Sequence, residues 1–571
     1  MEANPDQNMA LRARKICRRW QEMSGALSVW RAQWQEIADL MMPRKAGMTA
    51  QVMTPGAGKE ARLFDTTAGD ALMTMAGGLM SWTTPANEAW FNFQPVAGLR
   101  DRDPVKLWLA DCSQRQLELL ANSSFYTERH EDLLNHCCFG LSAMYVGLEG
   151  GRLRFESLPV GSFAIEENAF GEVDTLFREM DLTARQAVEM FGEERLPPKI
   201  LACWRQEEKA GQMFKFIHAV YPREEGERPQ GAGRLADWGK AWASCYVECG
   251  EKVLVKESGY DSFPFSVGRY LKWSALGCKS PYGYGPGFAA LPDVRQVNFL
   301  QMMMDVAAEK MVRPAMIAPE EMEGDLILSA GGITYMPSSL GVERWPRPVQ
   351  QVGDYGIGHD RIRMRQEAIR TKFHYDLFNL FAKLDRPQMT AREVAERAAE
   401  KITLITPAFS RLVAEKDTPM LQRLFTLSAE AGLFAPPPAE AVEGMEGYMM
   451  RVPTPSVDYT SRLALAVQQL HHGAFERQLE GDMAVARFDP SVMDNYNWDA
   501  ISRDRARSNG MPVGWLREEK AVAQMRQARA DAAAAAQGLE MAQRASQAVK
   551  NVGGPEQAGK MLEGLAGGGL T

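Results

Sequence analysis

Gln388-Met389-Thr390-Ala391-Arg392-Glu393-Val394-Ala395-Glu396-Arg397 is the stretch from which the architecture can be worked out. It is written as a helix start: Thr390 can cap the first turn, Glu393 stands three residues on in the capping-box position, and Ala and Glu follow. It comes directly after the turn Lys383-Leu384-Asp385-Arg386-Pro387, which itself follows a long helical pattern. That pattern runs from about Gly356 to Ala382, with Ile362, Ile369, Phe373, Leu377 and Leu380 on one side. Before it, residues 313–353 are broken up by Pro314, Pro319, Gly324, Gly331, Gly332, Pro337, Gly341, Pro346, Pro348 and Gly353. Short strand patterns fall between these breaks at Ala315–Ala318, Leu326–Leu328 and Ile333–Met336. Further back, Pro286 to Val312 predicts one long helix, its apolar positions Val294, Val297, Leu300, Met304, Ala308 and Met311 spaced by three and four. Pro292 is expected to be tolerable only in the first turn of that helix. Two long helices enclosing a small α/β insert make an elongated hairpin with a domain at its tip.

Outward from this centre the chain is mixed. Residues 8–42 are expected to be helical, with Leu11, Trp20, Leu27, Trp30, Trp34, Ile37 and Leu40 on an apolar face. Five of the ten residues in Leu11–Trp20 are Arg or Lys, which suits either a basic arm for DNA or an acidic partner, or a solvated helix face. Asp65 or Thr66 can cap a helix that ends near Thr83-Thr84-Pro85, and Trp90–Phe93 is a short strand pattern. Helices over about 103–120 and 124–140 lead into a β-rich region from about 143 to 274. Its strand candidates are Leu153–Leu158, Phe163–Glu167, Met213–Val220, Ser244–Cys249, Val253–Lys256 and Phe263–Lys272. Irregular alternation of helices with short strands points to α+β, mainly α, and not to a doubly wound parallel sheet. After Glu393 the chain is mostly helical to about Leu433. A Pro-rich connector, Ala435–Pro438, precedes helices from Thr460 to about Met483 and from about Trp498. The tail, from the Ala532–Ala536 tract to Gly567–Gly569, suits either an extended helix in an assembled barrel or disorder.

Composition narrows the function. The 571 residues carry 45% hydrophobic side chains, enough for a large core, and a net charge of −8 that argues against a nucleic-acid coat with a basic surface. A chain that DNA slides past should in any case make few phosphate contacts, because each adds affinity and drag. The eight scattered cysteines and the absence of a signal pattern suggest a reduced, cytosolic chain, and no run reaches the ~18 apolar residues of a membrane span. No catalytic constellation stands out. Gly554–Lys560 resembles a phosphate-binding loop, but Met561 occupies the position where Ser or Thr must hold magnesium. Gly283, Gly285 and Gly287 have the wrong spacing for a dinucleotide loop and are expected to form a tight entry to the long helix. His130 and His136 are six apart rather than four and are expected to be surface polar residues; Cys245 and Cys249 are expected to be buried thiols. No metal site, cofactor or catalytic residue is assigned.

Three phrases, taken in order, resemble the portal (head-to-tail connector) proteins of short-tailed bacteriophages. The first is Asp65-Thr66-Thr67-Ala68 with its small-residue helix and the exit Thr84-Pro85 to Trp90-Phe91, which is longer here than the family's usual Thr-Pro-x-x-x-Trp-Phe. The second is Met389-Thr390-Ala391-x-Glu393-Val394-x-x-Arg397. The third is Ala500–Asn509, then Gly510-Met511-Pro512-Val513 and the charged run Arg517–Arg529. The Tyr282-Gly283-Tyr284-Gly285 phrase is also similar to one in that family, and the resemblance covers roughly residues 10–530.

The resemblance implies a subunit with a wing (1–284), stem helix 1 (285–312), a clip (313–353), stem helix 2 (354–382) and a channel loop (383–390). Wing and crown helices (391–434), a crown (435–530) and an Ala/Gly-rich tail or barrel helix (531–571) complete it. It implies a homomeric ring, a dodecamer, at one capsid vertex, with double-stranded DNA passing through for packaging, retention and ejection. The implied partners are the terminase large subunit at the clip, major capsid and scaffold proteins, and tail adaptor or nozzle proteins, within a virion assembled in the host cytoplasm. Lys383 and Arg386 are the residues expected nearest DNA phosphates, with Arg361, Arg365 and Lys372 of stem helix 2 also facing the channel. Glu320, Glu321, Glu323 and Asp325 are expected on the terminase-facing clip. Twelve copies would each bring a net −8, a field that repels DNA from the channel wall. The alternatives are another virion structural protein such as a head–tail adaptor, or a nucleic-acid-processing enzyme.

Overall fold

The computed structural model describes residues 5–49, 63–99, 102–224, 239–320, 345–349, 355–379, 405–442, 444–446, 449–460, 478–508, 515–517 and 519–551, with single residues 327, 333, 335 and 341. The fold is mixed α+β, and every strand pairing among the described residues is antiparallel.

The chain begins with α1 (Pro5–Met41), a single helix whose Ala13, Ile16, Trp20, Leu27, Trp34 and Ile37 are buried. Leu11, expected on this apolar face, is 63% exposed: two residues before the fully buried Ala13, it lies about 200° around the helix, on the opposite side. Within the basic stretch, Arg12 pairs with Glu257 at 2.8 Å and Arg19 pairs with Glu166, while Arg14, Lys15 and Arg18 are exposed. Helix α2 (Thr67–Thr83) is started by Asp65, whose Oδ1 accepts from the Thr67 N–H at 3.0 Å; Thr66 occupies the cap position without using its side chain.

Strand β1 (Phe91–Gln94), α3 (Asp103–Ala121) and α4 (Phe125–Phe139) precede two sheets. The first joins β2 (Leu141–Glu149) to β3 (Arg152–Ser157) on one side and β9 (Phe265–Arg269) on the other. The second is a five-stranded meander of β4 (Phe163–Glu167), β5 (Val173–Thr183), β6 (Met213–Pro222), β7 (Trp242–Glu248) and β8 (Val253–Tyr260). Helices α5 (Ala184–Phe191) and α6 (Pro198–Arg205) cover one face of it, and α5 opens with a capping box between Thr183 and Gln186. The sequence treats Phe263–Lys272 as one strand. The structure divides it at Tyr270, whose N–H turns aside to the Gly140 carbonyl, so that β10 (Leu271–Ala275) leaves to pair with β11 (Cys278–Tyr284).

Besides the small cluster under α5 and α6, two hydrophobic cores result. The larger gathers α1, α2, α4, the sheets, the first half of α7 (Pro286–Val312), and Ile369, Phe373 and Leu377. The smaller holds Trp90, Phe91, Phe93, Trp108, Phe125, Leu421, Leu424 and Phe425. Its last members come from α11 (Thr418–Glu430), and the strand Ser456–Tyr459 pairs with β1, so sequence far downstream completes this core.

Four further expectations need correction. Pro292 lies in the second turn of α7, not the first, so its missing N–H interrupts the helix ladder where the helix is still buried. Met311 is 64% exposed although its spacing is that of a buried position, because α7 has left the body by then. The second long helix, α8 (Tyr355–Lys372), stops ten residues short of Ala382. His374 takes φ +51°, and a four-residue helix, α9 (Tyr375–Phe378), restarts the chain. Three consecutive ring side chains, Phe373, His374 and Tyr375, are weak helix formers. The break keeps Phe373 and Leu377 buried while turning Phe378 onto α2. His136 is buried rather than on the surface.

Candidate functional site

The base of the paired helices α7 and α8 is where two of the phrases picked out in the sequence, Asp65–Ala68 and Tyr282–Gly285, come together; Met389–Arg397 lies outside the described residues. The entry to α7 is built from glycines. Helix α4 ends at Gly140 in the left-handed conformation (φ +70°). Gly283 and Gly285 lie so close to it that a Cβ on Gly283 would stand 2.1 Å from the Gly140 carbonyl oxygen, and one on Gly285 2.6 Å from its Cα. A Cβ on Gly287 would stand 2.0 Å from the Cys138 oxygen. Backbone packs on backbone here, which only glycine permits.

From that entry α7 rises for 27 residues, about 40 Å at 1.5 Å per residue. Ala290, Leu291, Val294 and Val297 are buried in the core, whereas Phe299, Met303, Val306 and Val312 are exposed. On α8, Ile362 and Ile369 are buried, and Ile357 and Met364 are exposed. At the far end Met316–Ile317 pairs with Arg347–Pro348, closing the neck of the insert.

Asp293 holds the two helices together. Its Oδ1 lies 2.6 Å from Arg365 Nη1 and its Oδ2 2.7 Å from Lys372 Nζ, both on α8. Lys372 also donates to the Ala289 carbonyl at 2.8 Å, beside the break that Pro292 makes in the ladder. Burial raises the Asp293 pKa, but the hydrogen bonds from Lys372 and Arg365 outweigh it and leave the carboxyl below its ordinary value.

The residues before and within α2 meet the same place. The Phe64 N–H donates to Asn298 Oδ1 on α7 at 2.7 Å, and the second oxygen of Asp65 accepts from Gln366 Nε2 on α8 at 2.7 Å. One aspartate thus starts α2 and ties it to α8. Farther along α2, a Cβ on Gly78 would lie 2.2 Å from Phe378 Cδ1, so the small residues of this helix make room for the ring that follows the break after α8.

Of the residues expected along the channel, Arg365 and Lys372 therefore lie on Asp293, while Arg361 is exposed on α8. Lys383 and Arg386 fall outside the described residues. Of the acidic clip residues, Glu320 is exposed at the start of the insert, and Glu321, Glu323 and Asp325 fall outside the described residues. Among the described residues no group of His, Cys, Asp and Glu is placed to hold a metal ion, and no helix is long and apolar enough to cross a membrane.

The sequence profile of the family described as bacteriophage head to tail connecting protein matches residues 13–516. The chain belongs to that family. This connecting protein is 29% identical to the "Probable portal protein" of Bordetella phage BPP-1 over 530 residues, 91% of each chain. It is 23% identical to the "Portal protein" of Salmonella phage epsilon15 over 548 residues, 94% of this chain and 95% of the relative. The relationship suggested by three short phrases therefore extends over most of the chain, and the role it carries is structural.

One feature of the connecting protein had no counterpart in the sequence reading. Arg129 and Asp132 of α4 meet Lys416 and Asp417, all at most 1% exposed. Lys416 Nζ donates to Asp132 Oδ1 at 2.8 Å, to Ser142 Oγ at 3.0 Å and to the Ser266 carbonyl at 2.9 Å. Arg129 Nη2 donates to Asp417 Oδ2 at 2.9 Å. His136, one turn along α4, sits against this group, and burial together with the charges of Lys416 and Arg129 pushes its pKa down to about 3. The only trace in the sequence is the adjacent opposite charges of Lys416-Asp417 before Thr418-Pro419, which look like an ordinary solvated helix turn.

Proposed function

We propose that this connecting protein is the portal subunit of a short-tailed phage: a structural, non-catalytic virion protein whose copies form a ring at one capsid vertex. Double-stranded DNA passes through the ring during packaging, retention and ejection. The observation that carries the reading is the pair α7 and α8, which leaves the body with Phe299, Met303, Val306, Ile357 and Met364 exposed. Apolar side chains at helical spacing along paired helices are suited to burial against neighbouring copies. The named portal relatives support the same reading, as does the glycine entry that roots α7 in the core.

Within that ring, 354–379 with the channel loop 383–390 faces DNA, and the insert 313–353 is the clip on which the terminase large subunit docks. Major capsid, scaffold and tail proteins contact the remaining surfaces. Because Arg365 and Lys372 already face Asp293, Arg361, Lys383 and Arg386 are the stronger candidates for phosphate contact. Electron microscopy of the purified chain, with particle mass from light scattering, tests the proposal. Rings with a central hole and a mass near twelve subunits are expected, and a Lys383→Ala/Arg386→Ala variant should keep the rings while changing DNA packaging or retention. A stable monomer or dimer at every salt concentration would overturn it.

A further inference from the structure

Leu271-Lys272-Trp273-Ser274-Ala275-Leu276-Gly277-Cys278 places apolar side chains along a strand and into the turn after it, where turns are ordinarily polar. The hairpin β10–β11 that it opens leaves the line of β9 at Tyr270 and makes a two-stranded ladder of its own. Its root is anchored: Tyr282 is buried, and Gly283 lies against the Gly140 carbonyl. Midway along, the Trp273 ring meets Trp30 of α1 edge-on, with centroids 6.0 Å apart. All five residues of β10 are nevertheless exposed, and Leu276 in the turn is fully so. Two strands alone are only marginally stable in water, so a projecting hairpin of this composition calls for a cover.

The apolar surface continues past the hairpin. Tyr284 stacks on Phe288, in the first turn of α7, at 5.3 Å, and Phe288 meets Trp30 at 5.9 Å. At about 100° per residue, Phe299, Met303 and Val306 lie within about 60° of the direction of Phe288. One strip, crossed by the Arg295–Glu36 pair, therefore runs from the hairpin up the free side of α7. The exposed parts of Leu271, Trp273, Leu276 and Tyr284, with those of Phe299, Met303 and Val306, amount to on the order of 800 Å². That is about what each partner gives to a stable interface and more than a lone chain usually leaves in one apolar patch. Charge narrows the occupant. Residues 271–284 carry Lys272 and Lys279 and no acidic side chain, in a chain of net charge −8, so the hairpin is complementary to another copy.

We propose that the β10–β11 hairpin is an assembly arm that seats on a second copy of this chain, with Trp273 and Leu276 as its apolar contacts and Lys279 at the rim. The arm deepens the portal reading and rests on it, since it names a part of the surface through which the copies join. Copies related by rotation around a ring meet head to tail, so each must offer one face to a different face of the next. A cationic, apolar projection at the foot of the α7 strip supplies one of those faces, and the strip is covered by the same neighbour.

Photocrosslinking from position 276 tests the arm. The full-length chain is made with p-benzoylphenylalanine in place of Leu276, its particle mass is taken by light scattering, and it is irradiated. Rings should yield adducts between chains, seen as multiples of the chain mass on a denaturing gel and mapped by mass spectrometry to one segment of the neighbour. Rings that yield adducts only within one chain, or none, would overturn the arm and leave the portal reading standing. A sample that stays monomeric at every concentration would overturn the portal reading, and the arm with it. A second variant, Leu276→Asp, puts a charge where the single chain is fully exposed. Its urea midpoint should match that of the wild type, while the concentration at which half the chains are in rings should rise about tenfold or more. Rings that form at the wild-type concentration would overturn the arm.

Discussion

The molecule contains two ionic clusters that join one helix to another, and they work under opposite conditions. At the stem base Asp293 receives Arg365 and Lys372, whose side chains are 45% and 37% exposed. At the seam between the cores, Arg129, Asp132, Lys416 and Asp417 are closed off from solvent. Water screens the first cluster, so its cations can be lent to another anion at little cost. The second is cut off from that screening: burial raises the Asp417 pKa and lowers that of Lys416, opposed by the pull of Arg129 on Asp417 and of Asp132 on Lys416. Under the portal reading proposed above, helices beside moving DNA suit the weak clamp. The buried cluster instead fixes α4 against residues 416 and 417, just before α11.

The largest effect that separates the two follows from removing one buried partner. Lys416→Met leaves Asp132 without its cation and should destabilise the chain by about 3–5 kcal/mol, read as a shift of the urea midpoint. Adding Asp132→Leu in the same chain removes the stranded charge, and the double variant should recover most of that loss. A double variant as unstable as the single one would mean that Lys416 acts through its hydrogen bonds to Ser142 and Ser266 and not through charge pairing.

Acid sharpens the comparison at the next level. His136 is fully buried and its pKa is pushed down to about 3, against about 6.5 when unfolded. Between those values the unfolded chain binds the extra proton, so stability is highest above pH 6.5 and falls as the pH drops toward 3, by roughly 1.4 kcal/mol per pH unit at most. Urea unfolding at pH 7 and pH 4.5 should show this loss, and His136→Gln should remove about one proton from the slope. An unchanged slope would show that carboxylates elsewhere dominate the acid response.

Much of the frame was legible because it is local. The bounds of α7 follow from the glycine-rich entry and the proline after Arg313, and Phe163–Glu167 from its flanking turns. Strand β5 is interrupted by Asp174, Arg178, Glu179 and Asp181, so no apolar alternation marks it, and β2 is buried almost throughout and shows no alternation either. The site divides in the same way. Asp65 could be recognised as a cap because its partner is two residues away, but its other partner, Gln366, is 301 residues distant. Arg129, Asp132, Lys416 and Asp417 look like solvated helix charges because only tertiary packing, 284 residues apart in sequence for Lys416 and Asp132, puts them inside.

The smallest effect tests the weak clamp. Asp293→Asn keeps the shape and removes the charge that draws Arg365 and Lys372 together. Because both cations are more than a third exposed, the loss should be about 1 kcal/mol or less, and it should shrink further in high salt. Its pH sign is fixed by the lowered Asp293 pKa: the clamp contributes above the ordinary carboxylate value of about 3.9 and is lost as the pH falls through the lower folded value. Wild type and variant should therefore converge in stability at strongly acid pH and differ most at neutral pH and low salt. A loss of several kcal/mol, insensitive to salt, would place Asp293 with the buried quartet. The two clusters would then be one kind of joint, and the stem base would be as rigid as the seam.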